Sequence, residues 1–356
     1  MDPEEGIVIA TDPGVALVTV GGKTFTVEIL PDDVLARHLS ALQDTARGYA
    51  EQDRAPRTRE TYAWAWERFV TWCVRRRFNP LPAAAGTVCL FASAAVRDGI
   101  EASQAPTKGS PRLVKPIGVR TLEVYLAAIA DGHRRAGLAA PSYDPDTERV
   151  LDGIARTCGK PPVQKGALSE DQLAEILAAL PASLTGLRDR AILLTAYASG
   201  GRRRSEVVSM EVEHLSARPE GYLWTIPKSK LDQYSKGFVA GITRGTMGPL
   251  PSAAITLDAW LTSAKITKGP VFRPITRYGT LRDEALSDRA VAELVKVCVE
   301  RVGLNPASFS GHSLRASFVT NSIKAGRDLA WIKERTGHQS TDTLIKYVRS
   351  LGLLEG

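Results

Sequence analysis

The chain has 356 residues, 44% of them hydrophobic and 24% charged, an ordinary globular balance with room for two or three domains. No apolar run approaches the ~18–20 residues of a membrane span, the acidic start MDPEEGIVIATDPG lacks the basic opening of a signal peptide, and Cys73, Cys89, Cys158 and Cys298 form no C-x-x-C pair; a cytoplasmic protein without a zinc site or disulfide framework is expected. The net charge of +7 is uneven: residues 1–45 hold eight acids against two bases, a net of −6, so the remainder carries +13, which suits a polyanionic partner.

In chain order, residues 14–29 (GVALVTVGGKTFTVEI) alternate apolar and polar around Gly21-Gly22 and predict a β-hairpin. Its acidic surroundings suggest a structural or protein-contact role. From residue 56 the period is helical, with Tyr62, Trp66, Phe69, Val70 and Cys73 on one face and Arg75, Arg76 and Arg77 at the end. A second helix is expected over 87–98. After a Pro/Gly/Ser-rich loop (105–118), a third carries Val119, Leu122, Leu126 and Ile129 and ends in His133, Arg134, Arg135 and Gly137. A fourth covers 145–157. The prolines and glycines of CGKPPVQKG mark a linker. The expected domains are thus an acidic segment (1–55), a helical domain (56–157), a linker (158–167) and a larger domain (168–356).

In that larger domain, Ser169 with Gln172 resembles a capping box. Helices are expected over 170–180 and 185–199, a break at Gly200-Gly201, and a further helix near Arg203. Strands over 222–227 and 237–242 form a hairpin, and the chain from about 254 reads as helices.

Four segments carry chemistry: SGGRRRSEV (199–207), IPKSKLDQYSKG (226–237), GHSLR (311–315) and TGHQSTDTLIKYVR (336–349). Taken singly, each is compatible with an ordinary surface run or packed side chain. Together and in this order they resemble the tyrosine recombinase (phage integrase) family, whose pattern is G-x-R-x-S-E, a hairpin lysine, H-x-x-R, and G-H or G-W nine residues before a tyrosine. The matching positions are Arg203 with Glu206, Lys230, His312 with Arg315, and His338 before Tyr347. The stretch HRRAGLAAPSYDPDTERVLDGIAR is similar to the Cre-type branch, although a histidine stands at 338 where that branch has tryptophan, residues 1–55 have no counterpart, and nine residues follow Tyr347, which implies a short or absent exchange helix.

The resemblance implies a mainly α protein: a helical core-binding (SAM-like) domain, a mixed α+β catalytic domain and the small N-terminal hairpin. It implies cleavage and rejoining of DNA through a 3′-phosphotyrosine on Tyr347. Arg203 and Arg315 would grip the phosphate oxygens in fork geometry. His312 would donate to the phosphate or take the tyrosine proton, His338 would position or contact the phosphate, Glu206 would orient an arginine or histidine, and Lys230 would protonate the leaving 5′-oxygen. No G-x-x-x-x-G-K-[ST] loop or clustered carboxylates appear in the sequence, so cofactor-free transesterification is expected. The implied partner is a double-stranded DNA recombination site, bound by a dimer per site and a tetramer in the synapse. Arg75, Arg76, Arg77, Arg134, Arg135 and Arg289 are the candidate DNA contacts. The same chemistry would serve a type IB topoisomerase, a telomere resolvase or a heterobivalent integrase. A DNA-binding regulator with a relic active site is the non-enzymatic alternative.

Overall fold

The computed structural model describes residues 7–12, 15–20, 23–28, 30–51, 54–100, 115–160, 165–227 and 237–352. The chain divides into two compact units, Met1–Pro162 and Val163–Gly356.

The first unit opens with strands β1 (Ile7–Asp12), β2 (Val15–Val20) and β3 (Lys23–Glu28), an antiparallel meander in that order. The predicted hairpin is β2–β3, with Val20 opposite Lys23 and Val15 opposite Glu28. The third strand, β1, exceeds the sequence reading, as does helix α1 (Asp32–Glu51). Four further helices follow: α2 (Pro56–Arg75), α3 (Ala85–Arg97), α4 (Val119–Arg135) and α5 (Pro145–Cys158). Proline in the first turn suits α2 and α5, because its missing N–H has no partner there anyway. Asp144 caps α5 by accepting from the backbone N–H groups of Asp146 and Thr147.

Aromatic rings dominate this unit's core. Phe91 meets Phe69, Trp72 and Tyr125 at 5.1–5.7 Å between centroids. The buried face of α2 runs through Ala65, Phe69, Trp72 and Cys73. It is turned slightly from the predicted stripe, leaving Val70 half-buried, because Trp72 claims the centre. Helices α2 and α4 approach closely at Gly132, where an added Cβ would lie 2.7 Å from the Trp66 ring. His133 is structural: Nε2 accepts from the Ala83 N–H (2.9 Å), so Nδ1 donates to the Ile129 carbonyl (2.8 Å).

The second unit contains α6 (Glu170–Ala178), α7 (Leu184–Ala198), α8 (Arg204–Val208), strands β4 (Leu215–Arg218), β5 (Gly221–Ile226) and β6 (Phe238–Thr243), and helices α9 (Ala253–Ser263), α10 (Asp288–Arg301), α11 (Ser313–Lys324), α12 (Leu329–Thr336) and α13 (Thr341–Gly352). The predicted capping box opens α6: Gln172 N–H donates to Ser169 Oγ at 3.1 Å, and Ser169 N–H donates to Gln172 Oε1 at 3.0 Å. Helix α7 is buried on every side from Ala191 to Ala198 and forms the central post. Strands β4–β5–β6 form an antiparallel sheet whose Trp224, Ile226, Ala240 and Ile242 point into the same core. The expectation of helices throughout from 254 is corrected over 264–287. That stretch is irregular, broken by Gly269, Pro270, Pro274 and Gly279, and pinned by the Trp260 indole N–H on the Val271 carbonyl (2.8 Å).

Candidate active site

Backbone approach comes first, because it brings distant segments together. After α7 the chain turns at Gly200 (φ +97°) and Gly201 (φ +67°), a left-handed region that suits glycine. An added Cβ on Gly200 would lie 2.1 Å from the Arg335 carbonyl oxygen, and one on Gly201 would lie 2.6 Å from the Arg315 Cα. The double glycine therefore seats this turn against α11 and the end of α12. A third glycine, Gly311, leaves room for the Arg204 side chain, whose Cδ would be 2.2 Å from a Cβ there.

The arginine run then divides its work. Arg203 precedes α8 and is held twice by Glu206: its Nη1 donates to Oε1 at 2.7 Å and its backbone N–H to Oε2 at 3.1 Å. Arg204 turns toward Asp288, 3.7 Å away. Arg202 is buried, donates to the Arg335 carbonyl, and lies over the Phe238 ring at 4.3 Å. Its Nη1 stands 4.0 Å from Glu206. Burial lowers the Arg202 pKa to about 10, with Glu206 opposing that shift. Sequence reasoning missed this residue, since nothing in a run of three arginines says which one points inward.

Arg315 is 1% exposed, on a helix α11 buried from Ser313 to Val319. Its Nη1 donates to the Gly201 carbonyl at 3.1 Å, whereas its buried Nη2 has no hydrogen-bond partner among the described residues. Burial, and then the charges of Arg203 and Arg202, lower its pKa to about 10, so it stays charged at neutral pH. A buried cationic donor left open is costly. Among the described residues one carboxylate, Glu206, faces the guanidiniums of Arg202, Arg203 and Arg315, and an anion would complete the set.

The histidines and the tyrosine gather around these arginines. His312 immediately precedes α11 in helical backbone geometry, three residues before Arg315, so the two share a side of the helix. It keeps access to solvent, but desolvation by its neighbours and the charges of Arg315, Arg203 and Arg204 lower its pKa. Helix α12 is capped by Asp328 and ends at Gly337 in left-handed backbone (φ +69°), which releases His338 from the helix. Half-buried His338 is pushed down to about 3 by desolvation and by Arg315, Arg203, His312 and Arg202. Its Nδ1 lies 2.6 Å from Thr336 Oγ1. Ser340 Oγ accepts from the Asp342 N–H and starts α13. There Leu344 is buried against Val319 and Ile332, and half-buried Tyr347 packs beside them. Burial raises the Tyr347 pKa and Arg315 pulls it back down. Arg203, Glu206, His312, Arg315, His338 and Tyr347 are thus brought to one place. Lys230 lies outside the described residues.

The six candidate DNA contacts lie at helix ends of their own units. Arg75, Arg76 and Arg77 are exposed at the end of α2, with Arg76 lying over the Trp72 ring at 4.9 Å. Arg134 and Arg135 are exposed at the end of α4, where Arg135 pairs with Asp131 at 3.0 Å. Arg289 is exposed in the first turn of α10.

Comparison with known proteins identifies the family. The sequence pattern of the phage integrase family matches residues 167–352. An integrase/recombinase xerD homolog from Selenomonas ruminantium is 31% identical over 308 residues, 85% of this chain and 84% of that one. Among solved structures, a lambda integrase(75–356) dimer bound to a COC′ core site matches with a TM-score of 0.53 and 17% identity, covering 86% of this chain and 94% of that one. The XerH site-specific recombinase in a post-cleavage complex with palindromic difH substrate matches with a TM-score of 0.52 and 15% identity, over 82% of this chain and 75% of that one. The two structures speak to the fold; the sequence matches, spanning the arginine turn, the H-x-x-R helix and the tyrosine helix, place the chain in the phage integrase family of tyrosine recombinases.

Proposed function

We propose that this chain is a cytoplasmic site-specific recombinase that exchanges DNA strands between two sites through a 3′-phosphotyrosine on Tyr347. The observation that carries this reading is the open Nη2 of buried Arg315, next to Arg203 and within electrostatic reach of Tyr347. The scissile phosphate supplies the missing acceptor there, and two guanidiniums meet the charge that grows on its non-bridging oxygens. Glu206 holds Arg203 in place.

The Tyr347 oxygen attacks phosphorus, forming the tyrosyl ester as the bond to the 5′-oxygen breaks. The tyrosine proton passes to a neutral histidine; the lowered pKa values keep His312 and His338 unprotonated at neutral pH. The bound phosphate's charge offsets the arginines and so makes both histidines better bases when the substrate is present. Lys230 gives its proton to the departing 5′-oxygen. A 5′-hydroxyl from the partner duplex then reverses the step without ATP. The exposed arginines at the ends of α2 and α4, and Arg289, serve the duplex, which is bound by two protomers per site and four in the synapse.

DNA captured by Tyr347→Phe and sequenced gives the target. A plasmid carrying two copies of that site then yields deletion or inversion products of the expected size. Relaxed plasmid without exchanged segments would instead mark a topoisomerase.

A further inference from the structure

One aromatic contact ties the β5–β6 strand pair to the arginine turn. Ile226 and Phe238 are register partners at the end of that pair, so the connection over residues 227–237, which contains Lys230 in the sequence, starts and finishes there. Phe238 takes alternate positions with Ala240 and Ile242 and so shares their inward face of β6. Half-buried at the rim of the core, its ring meets two other segments. The Arg202 guanidinium lies over it, 4.3 Å from the centroid. Gly337 also abuts it: an added Cβ there would lie 3.2 Å from ring carbon Cε2.

Arg202 is a fixed point for this ring. It is 3% exposed. It donates to the Arg335 carbonyl, and its Nη1 stands 4.0 Å from Glu206, the carboxylate that also holds Arg203. Its buried Nε has no hydrogen-bond partner among the described residues. The negative face of the Phe238 ring offsets part of the cost of burying this charge, and a cation–ring contact is strongest where water is excluded. Leucine at 238 would fill space without attracting the guanidinium.

We propose that Phe238 is a positioning residue for the proton donor: gripped by Arg202, it fixes the stem of the Lys230 connection against the turn that carries Arg203. The proposal rests on the recombinase reading, with Lys230 as the group that protonates the leaving oxygen. It gives Arg202 a part distinct from that of its neighbour. Arg203 meets the phosphate, whereas Arg202 turns inward and holds the strand from which the lysine connection springs.

The test compares cleavage, by the full chain, of a captured site with oxygen or with sulfur at the 5′ bridging position. Phe238→Leu cuts the oxygen substrate about ten- to thirtyfold more slowly, the size of a desolvated cation–ring contact, and regains a near-native rate with sulfur, which leaves without a proton. Phe238→Tyr keeps the ring and cuts both substrates at near-native rates. In an Arg202→Met background the contact is already gone, so adding Phe238→Leu leaves the ratio of sulfur to oxygen rates unchanged. Phe238→Leu that is equally slow on both substrates makes the ring a general packing group and overturns the proposal. A native rate on oxygen, or an undiminished effect of Phe238→Leu in the Arg202→Met background, overturns it too. Lys230→Ala separates this failure from that of the reading beneath it. If Lys230→Ala gains nothing from sulfur, Lys230 is not the proton donor, and the positioning role falls with it.

Discussion

Gly201 and Arg315 are in direct contact: the Gly201 carbonyl accepts from the Arg315 side-chain Nη1 at 3.1 Å, and a Cβ on Gly201 would come within 2.6 Å of the Arg315 Cα. This contact ties the turn that carries Arg203 to the helix that carries the second arginine.

Gly201→Ala meets two penalties, the left-handed φ of +67° and the collision with α11. The expected cost is about 1–3 kcal/mol, read as a fall in the melting temperature, with cleavage lost more completely than DNA affinity. A variant with native melting and native cleavage would show that the turn and α11 are not packed as described.

The depressed histidines make stability depend on pH. His338 titrates at about 3 in the folded protein against 6.5 ordinarily. Between those values the unfolded chain binds a proton that the folded site refuses, so acid favours unfolding. Stability from this group is fully present above pH 6.5 and declines as the pH falls toward 3. His338→Gln flattens the slope of denaturation midpoint against pH across that window. An unchanged slope would mean that His338 titrates normally and does not sit among the arginines.

Much of this arrangement was legible in the sequence. The second hairpin, the capping box at Ser169 and the break at Gly200-Gly201 follow from periodicity and glycine punctuation, and the convergence of Arg203, His312, Arg315, His338 and Tyr347 from the resemblance that their ordered motifs carry. Strand β4 was not, because it has four residues and an almost wholly exposed face. Helix α1 was overlooked although Leu35, Leu39 and Leu42 recur at helical spacing; Leu39 and Leu42 remain exposed, so no dense apolar stripe marks the helix. The inward turn of Arg202 and the hydroxyl of Thr336 beside His338 depend on how α12 ends against the glycine turn, a tertiary relationship that local spacing does not encode.

Lys230 is tested by its chemistry. If it protonates the leaving oxygen, Lys230→Ala cuts ordinary DNA slowly but regains most of its rate on a substrate with sulfur at the 5′ bridging position, since a thiolate leaves without a proton. Arg203→Ala, which removes charge stabilisation, gains nothing from sulfur. Equal slowness of Lys230→Ala on both substrates would reduce the lysine to a phosphate contact and make His312 the next candidate acid.

The central claim is that Tyr347 becomes covalently joined to DNA. A captured site carrying a nick near the cleavage position traps that adduct, which is resolved on a denaturing gel and mapped by mass spectrometry of the attached peptide. The native protein is expected to give a 3′-phosphotyrosyl adduct on the α13 peptide containing Tyr347, while Tyr347→Phe gives none yet binds the same site with near-native affinity. An adduct that persists in Tyr347→Phe, or one mapped to another residue, would contradict the account.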